Sequence, residues 1–504
     1  MGGRARPGAL LALLGALALG AALLLGDDGS LEAPGAVVPV NAGSRDQGDI
    51  KSNNSPSLAQ NPRRVANLAI VNRVDSPSFT CGLHVSHDGG ARWTTSELPI
   101  PRGEQPKCFA PDVTFAADGT LYVSYVTLAG TTNEPHAVWL VRSTDGGRTL
   151  SAPRRVSGPL AFAVRLTTDP QRPDRVYLTW LQPEMVGLYL FAGNDNRIVV
   201  TRSDDGGRSF GKPVRVSAAR RTRVLAPSPA VGPDGALYIL FLDLGDDRLD
   251  YEGGHDASGG PPYDGRFSLV LGRSADGGAT WQESLVDDGV VPTRRFIPFL
   301  PPSPSLAIDH DSGRIFVAFE DGRNRPSDVY VWSLSRGEAR WEGPTRVNDT
   351  DGDDRTMQYL PKLAVAPDGR LDVSYYDRRD DPRDVRNHVS MQSSFDGGES
   401  FTPHVTVTDR SFDSRIGAGS ERGLPDLGSR IALVSRSDAV LAAWTDTRSG
   451  TIDSNKQDIA FAQATVNDAS ELPGWARTLL LVAGIGLLLG GVTLLARGAR
   501  ARKE

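Results

Sequence analysis

The motif SHDGGARW, at Ser86–Trp93, decides how this sequence folds, because the chain repeats it four more times. The other copies are STDGGRTL (Ser143–Leu150), SDDGGRSF (Ser203–Phe210), SADGGATW (Ser274–Trp281) and SFDGGESF (Ser394–Phe401). Each copy reads Ser, any residue, Asp-Gly-Gly, two further residues and a bulky apolar residue. A fixed motif that returns at long intervals is typical of a repeat architecture.

The motif predicts a tight turn between two strands. Its Ser and Asp side chains lie two residues apart and can accept hydrogen bonds from the backbone N–H groups of the turn. Its Gly pair tolerates positive φ angles that would strain other residues. The final apolar residue can fold back between adjacent sheets. We therefore assign the motif a structural role, with direct binding or catalysis as the minor alternative.

A pattern of four strands surrounds each copy. One strand reads GTLYVSY at Gly119–Tyr125, and its counterpart in a later unit reads GRIFVAFED at Gly313–Asp321. One apolar run precedes this strand, another leads into the motif, and a fourth follows the motif. Runs of four to eight residues bounded by Gly, Pro and Asp predict a four-stranded antiparallel meander.

Two further units lack a complete motif. Residues 305–348 keep four runs around a degenerate turn, whereas residues 431–466 keep three. The segment AVVPVNAG, at Ala36–Gly43, resembles the missing fourth run, and its pairing with the last unit would hide an open sheet edge. The pattern predicts an all-β propeller over residues 36–470, with seven four-stranded blades favoured and six as the alternative.

Both ends of the chain are apolar. Residues 1–35 contain the uncharged segment Pro7–Gly26, which is either a cleaved signal peptide or an N-terminal membrane anchor. Residues 478–496 form a second uncharged run, which precedes the basic tail RGARARKE at 497–504. The positive-inside rule predicts a transmembrane helix with a cytoplasmic tail and an extracytoplasmic propeller.

The two cysteines both fall in the predicted extracytoplasmic part. Cys81 begins the third strand of unit one, and Cys108 precedes the first strand of unit two. Because that compartment is oxidising, we expect a disulfide between the two blades, and two free buried thiols are the alternative. The chain has a formal net charge of −6 and no basic stripe with interleaved aromatic residues. Nucleic acid is therefore not an expected partner.

The repeated motif resembles the Asp box, or BNR repeat, of sialidases and related β-propellers, and this resemblance covers about residues 36–470. Asp boxes also occur in other glycosidases, sorting receptors and assembly factors, so the resemblance implies a fold rather than a chemistry. For a sialidase it implies three arginines that clamp a carboxylate, a Tyr nucleophile activated by a Glu, and an Asp acid/base.

The first unit departs from the sialidase pattern. The family has Phe or Tyr followed by Arg-Ile-Pro there, whereas this chain reads NNSPSLAQNPRR at Asn53–Arg64. The letters RFIP at Arg295–Pro298 are similar but stand in another order and another unit. This departure argues against hydrolysis of sialic acid.

A second repeated motif supplies candidate catalytic residues. Three consecutive units end their second strand with FEDGR, YYDRR or WTDTR, each an aromatic residue, any residue and then Asp-x-Arg. Connections after second strands emerge on one face of a propeller, so we expect the arginines to gather near the channel mouth. The candidates are Arg323, Arg379, Arg448, Tyr375, Tyr376 and Glu421, with Glu320 as a further partner. The alternative is that each Asp–Arg pair braces its own loop.

One acidic stretch, NDTDGDDR, is a candidate calcium site. Asp349, Asp351 and Asp353 alternate there, and calcium prefers carboxylate oxygens. The stretch lacks the Gly placement and the distal Glu of an EF-hand loop, so a solvated acidic turn is the alternative. We expect no other cofactor.

Together these patterns predict a membrane-anchored, extracytoplasmic propeller that binds glycan or protein ligands on its loop face. An exo-glycosidase of sialidase type is the alternative function. A scaffold for an envelope complex is a third hypothesis.

Overall fold

A computed structural model describes most of the chain. Contacts divide the chain into a larger unit, Ala33–Thr465, and a terminal unit made of Met1–Glu32 and Val466–Glu504. The terminal unit contains the short strand β1 (Ser30–Glu32). The described residues are 13–14, 29–41, 51–184, 195–246, 265–293, 302–324, 326–417, 427–467, 482–483, 485–490 and 492–493.

The larger unit folds into seven antiparallel blades, which confirms the seven-bladed all-β propeller predicted from the repeats. It begins with strand β2 (Val37–Pro39). Blades 1 to 4 then follow as four-stranded meanders. Their strands are β3 (Asn53–Gln60), β4 (Leu68–Val74), β5 (Thr80–Ser86), β6 (Thr94–Glu97), β7 (Cys108–Phe115), β8 (Leu121–Ala129), β9 (Glu134–Ser143), β10 (Arg154–Ser157), β11 (Phe162–Asp169), β12 (Arg172–Gln182), β13 (Arg197–Ser203), β14 (Val214–Arg215), β15 (Val224–Val231), β16 (Leu237–Asp243), β17 (Phe267–Ser274) and β18 (Gln282–Val290).

Blades 5 and 6 repeat the meander, and blade 6 has an additional short strand that pairs with its third strand. Blade 7 takes three strands from the end of the larger unit. The strands are β19 (Ser305–Ile308), β20 (Ile315–Asp321), β21 (Asp328–Leu334), β22 (Glu342–Arg346), β23 (Gln358–Val365), β24 (Leu371–Asp377), β25 (Arg386–Ser394), β26 (Val405–Thr406), β27 (Phe412–Asp413), β28 (Ala432–Ser435), β29 (Ala439–Asp446) and β30 (Asp458–Asn467).

The first strands of the seven blades form a closed ring. Each contacts the first strand of the next blade, and β28 of blade 7 contacts β3 of blade 1. The first strands therefore surround a central channel, and the fourth strands lie at the perimeter. Second strands such as β20, IFVAFED, are buried throughout because neighbouring blades cover both of their faces.

Strand β2 completes blade 7, as the sequence predicts for Ala36–Gly43. Val38 pairs with Phe461, and the N–H of Val40 donates to the carbonyl of Ile459 over 2.9 Å. Asn41 extends this pairing, because its side-chain oxygen accepts from the N–H of Ile459 over 2.9 Å. The N-terminal strand thus covers the edge of β30 that would otherwise stay open.

The repeated motif forms the predicted self-bonded turn. In the first copy, Ser86 Oγ donates to Asp88 Oδ1 over 2.9 Å and accepts from the N–H of Gly90 over 2.9 Å. Gly90 has a φ of 97°, and a Cβ there would lie 2.3 Å from the Phe461 ring. Trp93 packs edge-on against the same ring, so the motif helps to join blade 1 to blade 7. The Ser–Asp contact recurs in the other copies, at Ser143–Asp145, Ser203–Asp205, Ser274–Asp276 and Ser394–Asp396.

A disulfide joins blades 1 and 2. It links Cys81 in β5 to Cys108, the first residue of β7, and the described residues contain no free cysteine. The cross-link closes a sequence separation of 27 residues.

The two terminal hydrophobic segments are described only in part. Helical residues are described at 13–14 near one end and at 482–483, 485–490 and 492–493 near the other. Within the described part of the chain, no helix is both long enough and apolar enough to cross a bilayer. The transmembrane roles of Pro7–Gly26 and 478–496 stay predictions.

Candidate functional site

The three predicted arginines occupy equivalent places in blades 5, 6 and 7. Each stands two residues after the Asp that ends the second strand of its blade. The backbone N–H and the Nε of each arginine donate to that Asp, at distances between 2.6 and 3.0 Å. The pairs are Arg323–Asp321, Arg379–Asp377 and Arg448–Asp446.

Each guanidinium also contacts a carboxylate that belongs to, or follows, the fourth strand of the preceding blade. Because fourth strands lie at the perimeter, the guanidinium groups are directed outward rather than toward the channel. The pairs are Arg323–Asp287, at 2.8 Å, Arg379–Asp349, at 2.6 Å, and Arg448–Asp409.

The arginines therefore act as braces between neighbouring blades. Burial lowers the pKa of Arg379, but Asp377 and Asp349 outweigh that effect and raise its pKa above the ordinary value. Among the described residues, no contact joins any two of Arg323, Arg379 and Arg448. A catalytic role for the three arginines stays a prediction. The contact of each arginine with its own Asp is the local brace of the alternative interpretation, and the second carboxylate adds a contact with the preceding blade.

The two candidate tyrosines are both fully buried. The Tyr375 hydroxyl donates to Gln392 Oε1 over 2.6 Å and accepts from Arg379 Nη2 over 3.2 Å. Burial raises the pKa of Tyr375 well above its ordinary value, which opposes formation of a phenolate nucleophile. The Tyr376 hydroxyl accepts from the N–H of Thr445 over 3.0 Å and so connects blade 6 to blade 7.

The candidate glutamates differ in what the structure shows of them. Glu320 is buried, and its carboxylate accepts from Thr293 Oγ1 over 2.8 Å and from the N–H of Leu360 over 2.7 Å. These contacts connect three successive parts of the ring. Glu421 lies outside the described residues, so its role as an activating carboxylate stays a prediction.

The candidate calcium ligands do not come together as a metal site. Asp349 accepts from Arg379, and its Oδ2 lies 3.1 Å from His404 Nδ1, while Asp351 and Asp353 are exposed. Burial raises the pKa of Asp349, but the hydrogen bonds from Arg379 and His404 outweigh it and lower the pKa to about 2. The described residues include no group of three His, Cys, Asp or Glu side chains that could hold a metal.

One polar position in the first strands was not predicted from the sequence. It lies opposite the middle of the second strand in six blades, and we call its six residues the channel ring. Their local sequences are SPSL, APDV, AVRL, APSP, SPSL and LPKL, so a polar residue after Pro or Val was the available signal. The channel ring consists of Ser57, Asp112, Arg165, Ser228, Ser305 and Lys362.

β-Bulges shape this part of the channel. In five first strands the pairing register shifts just before the channel ring. A bulge of this kind bends its strand and re-aims the side chains that follow. Proline is tolerated beside it because one edge of the first strand faces the channel rather than another strand. The positive-φ residues at the bulges are Ser55, Ala110, Ala163, Ala226 and Leu360.

The channel ring and Arg430, which precedes β28, line a cavity of about 200 Å³. The charged groups among the described lining residues are three cations, Arg165, Lys362 and Arg430, and one carboxylate, Asp112. The cavity therefore carries a formal charge of two positive units. This excess distinguishes it from the perimeter, where carboxylates outnumber the arginines in each brace.

Both carboxylate oxygens of Asp112 accept hydrogen bonds from neighbouring groups. Its Oδ1 accepts from Ser57 Oγ over 2.6 Å and lies 3.3 Å from Arg430 Nη1, and its Oδ2 accepts from the N–H of Leu166 over 2.8 Å. Arg430 also donates to the carbonyls of Ser55 and Pro111. Asp112 and Arg430 thus form a satisfied pair on one side of the cavity.

Arg165 and Lys362 have no such carboxylate partner. Arg165 donates to the carbonyl of Val164 over 3.1 Å and reaches across to Ser303 Oγ over 2.8 Å. Among the described residues, no hydrogen bond or ion pair involves the Lys362 ammonium. Burial lowers the pKa of Lys362 to about 8, and repulsion from Arg430 and Arg165 adds to this while Asp112 opposes it. The cavity therefore contains two cationic groups without a carboxylate partner among the described residues.

Comparisons with known proteins assign neither a family nor an activity to the chain. No family model and no curated protein matches the chain. Solved structures do match, among them a Hadza microbial sialidase with 14% identity and a TM-score of 0.46, covering 80% of this chain and 75% of that chain. A polysaccharide lyase described as an ulvan lyase has 12% identity and a TM-score of 0.48, covering 86% and 99% of the respective chains.

A lectin from Burkholderia pseudomallei also matches, with 13% identity and a TM-score of 0.44, covering 70% of this chain and 84% of that chain. These neighbours are thus a sialidase, a lyase of polysaccharide and a lectin. At such identities and TM-scores, these similarities carry no argument about this chain.

Proposed function

We propose that this protein is a binding propeller whose ligand is an acidic glycan, held through the cations of the central channel. The observation that carries the proposal is that Arg165 and Lys362 face the cavity without a carboxylate partner among the described residues. Both side chains are half-buried, and a bound anion would offset the solvation free energy that their charges lose in the cavity.

The alternative of a sialidase-type exo-glycosidase receives less support from the site. Its proposed nucleophile, Tyr375, is fully buried, and the arginine beside it, Arg379, is held by two carboxylates. A substrate carboxylate would have to displace Asp349 or Asp377 from that arginine. Binding without turnover is therefore the function that fits the described contacts better.

We also propose that the propeller works outside the membrane, attached by the run at 478–496. Two observations support this placement. The run is uncharged and precedes a basic tail. Cys81 and Cys108 form a disulfide, which is the state expected in an oxidising compartment.

A glycan array probed with the purified full-length protein tests the binding function. We expect acidic glycans to bind and their neutral counterparts to bind at least tenfold more weakly. Lys362→Met should abolish this preference, whereas the matched substitution Lys107→Met should keep it, because Lys107 is held by Asn133 and the carbonyl of Gly130 outside the channel.

Four outcomes would contradict the proposal. Equal binding of neutral and acidic glycans would show that charge does not decide recognition. Retention of acidic binding in Lys362→Met would show that the ligand does not bind in the channel. Hydrolysis of a fluorogenic sialoside that disappears in Tyr375→Phe would replace the binding function with the glycosidase. Recognition of acidic peptides but no glycan would assign the site to a protein ligand.

A further inference from the structure

The uncommitted side chains around the channel cavity offer hydrogen-bond donors. Lys362 carries three N–H groups, none of which has a partner among the described residues. Ser303 Oγ accepts from Arg165, and Ser305 Oγ accepts from the N–H of Leu363 over 3.0 Å, so each hydroxyl keeps its hydrogen to donate. The side-chain carboxylate of the cavity, Asp112, already uses both oxygens. A ligand at this place therefore has to supply acceptors.

The formal charge of the cavity indicates how many negative charges its ligand carries. Asp112 balances Arg430, which leaves Arg165 and Lys362 uncompensated. A monoanion would balance one of these two cations and leave the other unpaired. A dianion balances both, and partially desolvated charges of this kind interact more strongly than they would in bulk water.

The size and symmetry of the cavity favour a compact group. A volume of about 200 Å³ holds a small oxyanion with a few waters, given that a water occupies about 30 Å³ of liquid. The donors come from separate directions, with Arg165 in blade 3, Ser303 and Ser305 at blade 5, and Lys362 in blade 6. A tetrahedral oxyanion presents four oxygens in different directions, whereas a carboxylate presents two in one plane.

We infer that the channel site takes a tetrahedral dianionic oxyanion, the chemistry shared by sulfate and phosphate, in preference to a carboxylate. The inference rests on the proposed function, because it names the acidic group that the same site recognises. The group can come from free inorganic anion or from a phosphorylated saccharide, whose phosphate monoester is a dianion above its second pKa of about 6. Both sources present terminal oxygens to Arg165 and Lys362.

Thermal unfolding of the full-length protein in sodium sulfate tests the inference. Sulfate stabilises folded proteins in general by exclusion from their surface, so the site-specific part is a difference between variants. We expect wild type and Lys107→Met to show an additional, saturating rise in Tm that Lys362→Met lacks. Sodium chloride at equal ionic strength should not produce it. Arg165→Gln removes the other uncompensated cation. It should raise the sulfate concentration at which the additional rise in Tm saturates by at least tenfold.

Titration calorimetry at about pH 7.5 with glucose 6-phosphate, inorganic phosphate, glucuronate and glucose separates the sources and the acid groups. Glucose 6-phosphate binding at least tenfold more tightly than inorganic phosphate would assign the group to a saccharide, and equal or tighter binding of inorganic phosphate would assign it to the inorganic anion. Both results support the inference.

The same measurements distinguish failure of the inference from failure of the proposed function. Glucuronate that binds as tightly as glucose 6-phosphate, and does so through Lys362, would overturn the oxyanion preference but keep an acidic-glycan site. Sulfate responses that are identical in wild type, Lys362→Met and Arg165→Gln would overturn the inference. Absence of Lys362-dependent binding for every acidic sugar would overturn both.

Discussion

Cations at the perimeter of the propeller and cations in its channel differ in their carboxylate partners. At the perimeter, Arg379 lies between Asp377 and Asp349, and the arginines of blades 5 and 7 repeat the arrangement. In the channel, Arg165 and Lys362 face the cavity with no carboxylate partner among the described residues. Among the described residues, carboxylates neutralise all three perimeter arginines, whereas in the channel Asp112 neutralises only Arg430.

This difference separates a structural role from a ligand-binding role. A cation that contacts two carboxylates of neighbouring blades stabilises the joint between them, and a ligand would have to compete with both. A cation without a partner reduces stability until an anion arrives. The comparison therefore makes opposite predictions for the same kind of substitution in the two regions.

The largest expected effect is at the perimeter. Arg379→Met should lower the free energy of unfolding by about 3–5 kcal/mol, because it leaves the fully buried Asp377 without its ion-pair partner. Denaturant unfolding of the full-length protein measures this, and Arg379→Lys is the control that keeps the charge. Unchanged stability together with loss of glycan binding would contradict the bracing role and return Arg379 to the candidate site.

The next effect has the opposite sign and lies in the channel. Lys362→Met should raise the free energy of unfolding by about 1–3 kcal/mol in anion-free buffer, because it replaces an unpaired ammonium with an apolar group of similar length. The same denaturant experiment measures it, with Lys107→Met as the matched substitution. Destabilisation by Lys362→Met would show that the ammonium already has a stabilising partner in the protein.

The fold could be predicted from the sequence to a large extent. Five copies of the turn motif counted most of the blades, and the apolar segment at Ala36–Gly43 supplied the strand that closes the ring. Both signals are local, because a self-bonded turn and an alternating strand are encoded within about ten residues. The cysteines were also placed well enough to suggest their disulfide.

The site was harder to predict because its geometry depends on contacts between blades. The Asp-x-Arg spacing was visible, but the second carboxylates of the braces come from the preceding blade, as Asp287 does for Arg323. Sequence alone therefore left the bracing and catalytic interpretations open. The channel ring has a repeated local sequence. That sequence does not show which of its charges lack a carboxylate partner, because Arg165 of blade 3 contacts Ser303, which precedes blade 5.

A pH dependence sharpens the channel half of the comparison. Folding lowers the pKa of Lys362 from 10.5 to about 8, so between these pH values the unfolded chain holds a proton that the folded protein has lost. Stability should therefore rise as the pH increases through this range, by about 1–2 kcal/mol between pH 8 and pH 9.5. The groups that face Lys362 are Asp112, Arg165 and Arg430.

The measurement compares wild type with Lys362→Met at each pH, so that titration elsewhere in the chain cancels. We expect the gain from Lys362→Met to shrink as the pH rises above 8. A gain that stays constant from pH 7 to pH 9.5 would mean that Lys362 keeps its proton, and the channel would then differ less from the perimeter than its contacts indicate.

The smallest effect isolates what makes a perimeter arginine a brace. Arg415 has the same Asp-x-Arg spacing as the three braces, and its Nη2 lies 2.6 Å from Asp413, but its side chain is 50% exposed. No carboxylate of a preceding blade contacts it among the described residues. Arg415→Met should therefore change the free energy of unfolding by only about 0–1 kcal/mol, as for other exposed ion pairs. A loss as large as that of Arg379→Met would mean that the local Asp–Arg pair stabilises the loop by itself. The second carboxylate would then be dispensable, and the contrast between the compensated perimeter and the uncompensated channel would no longer explain which arginines matter.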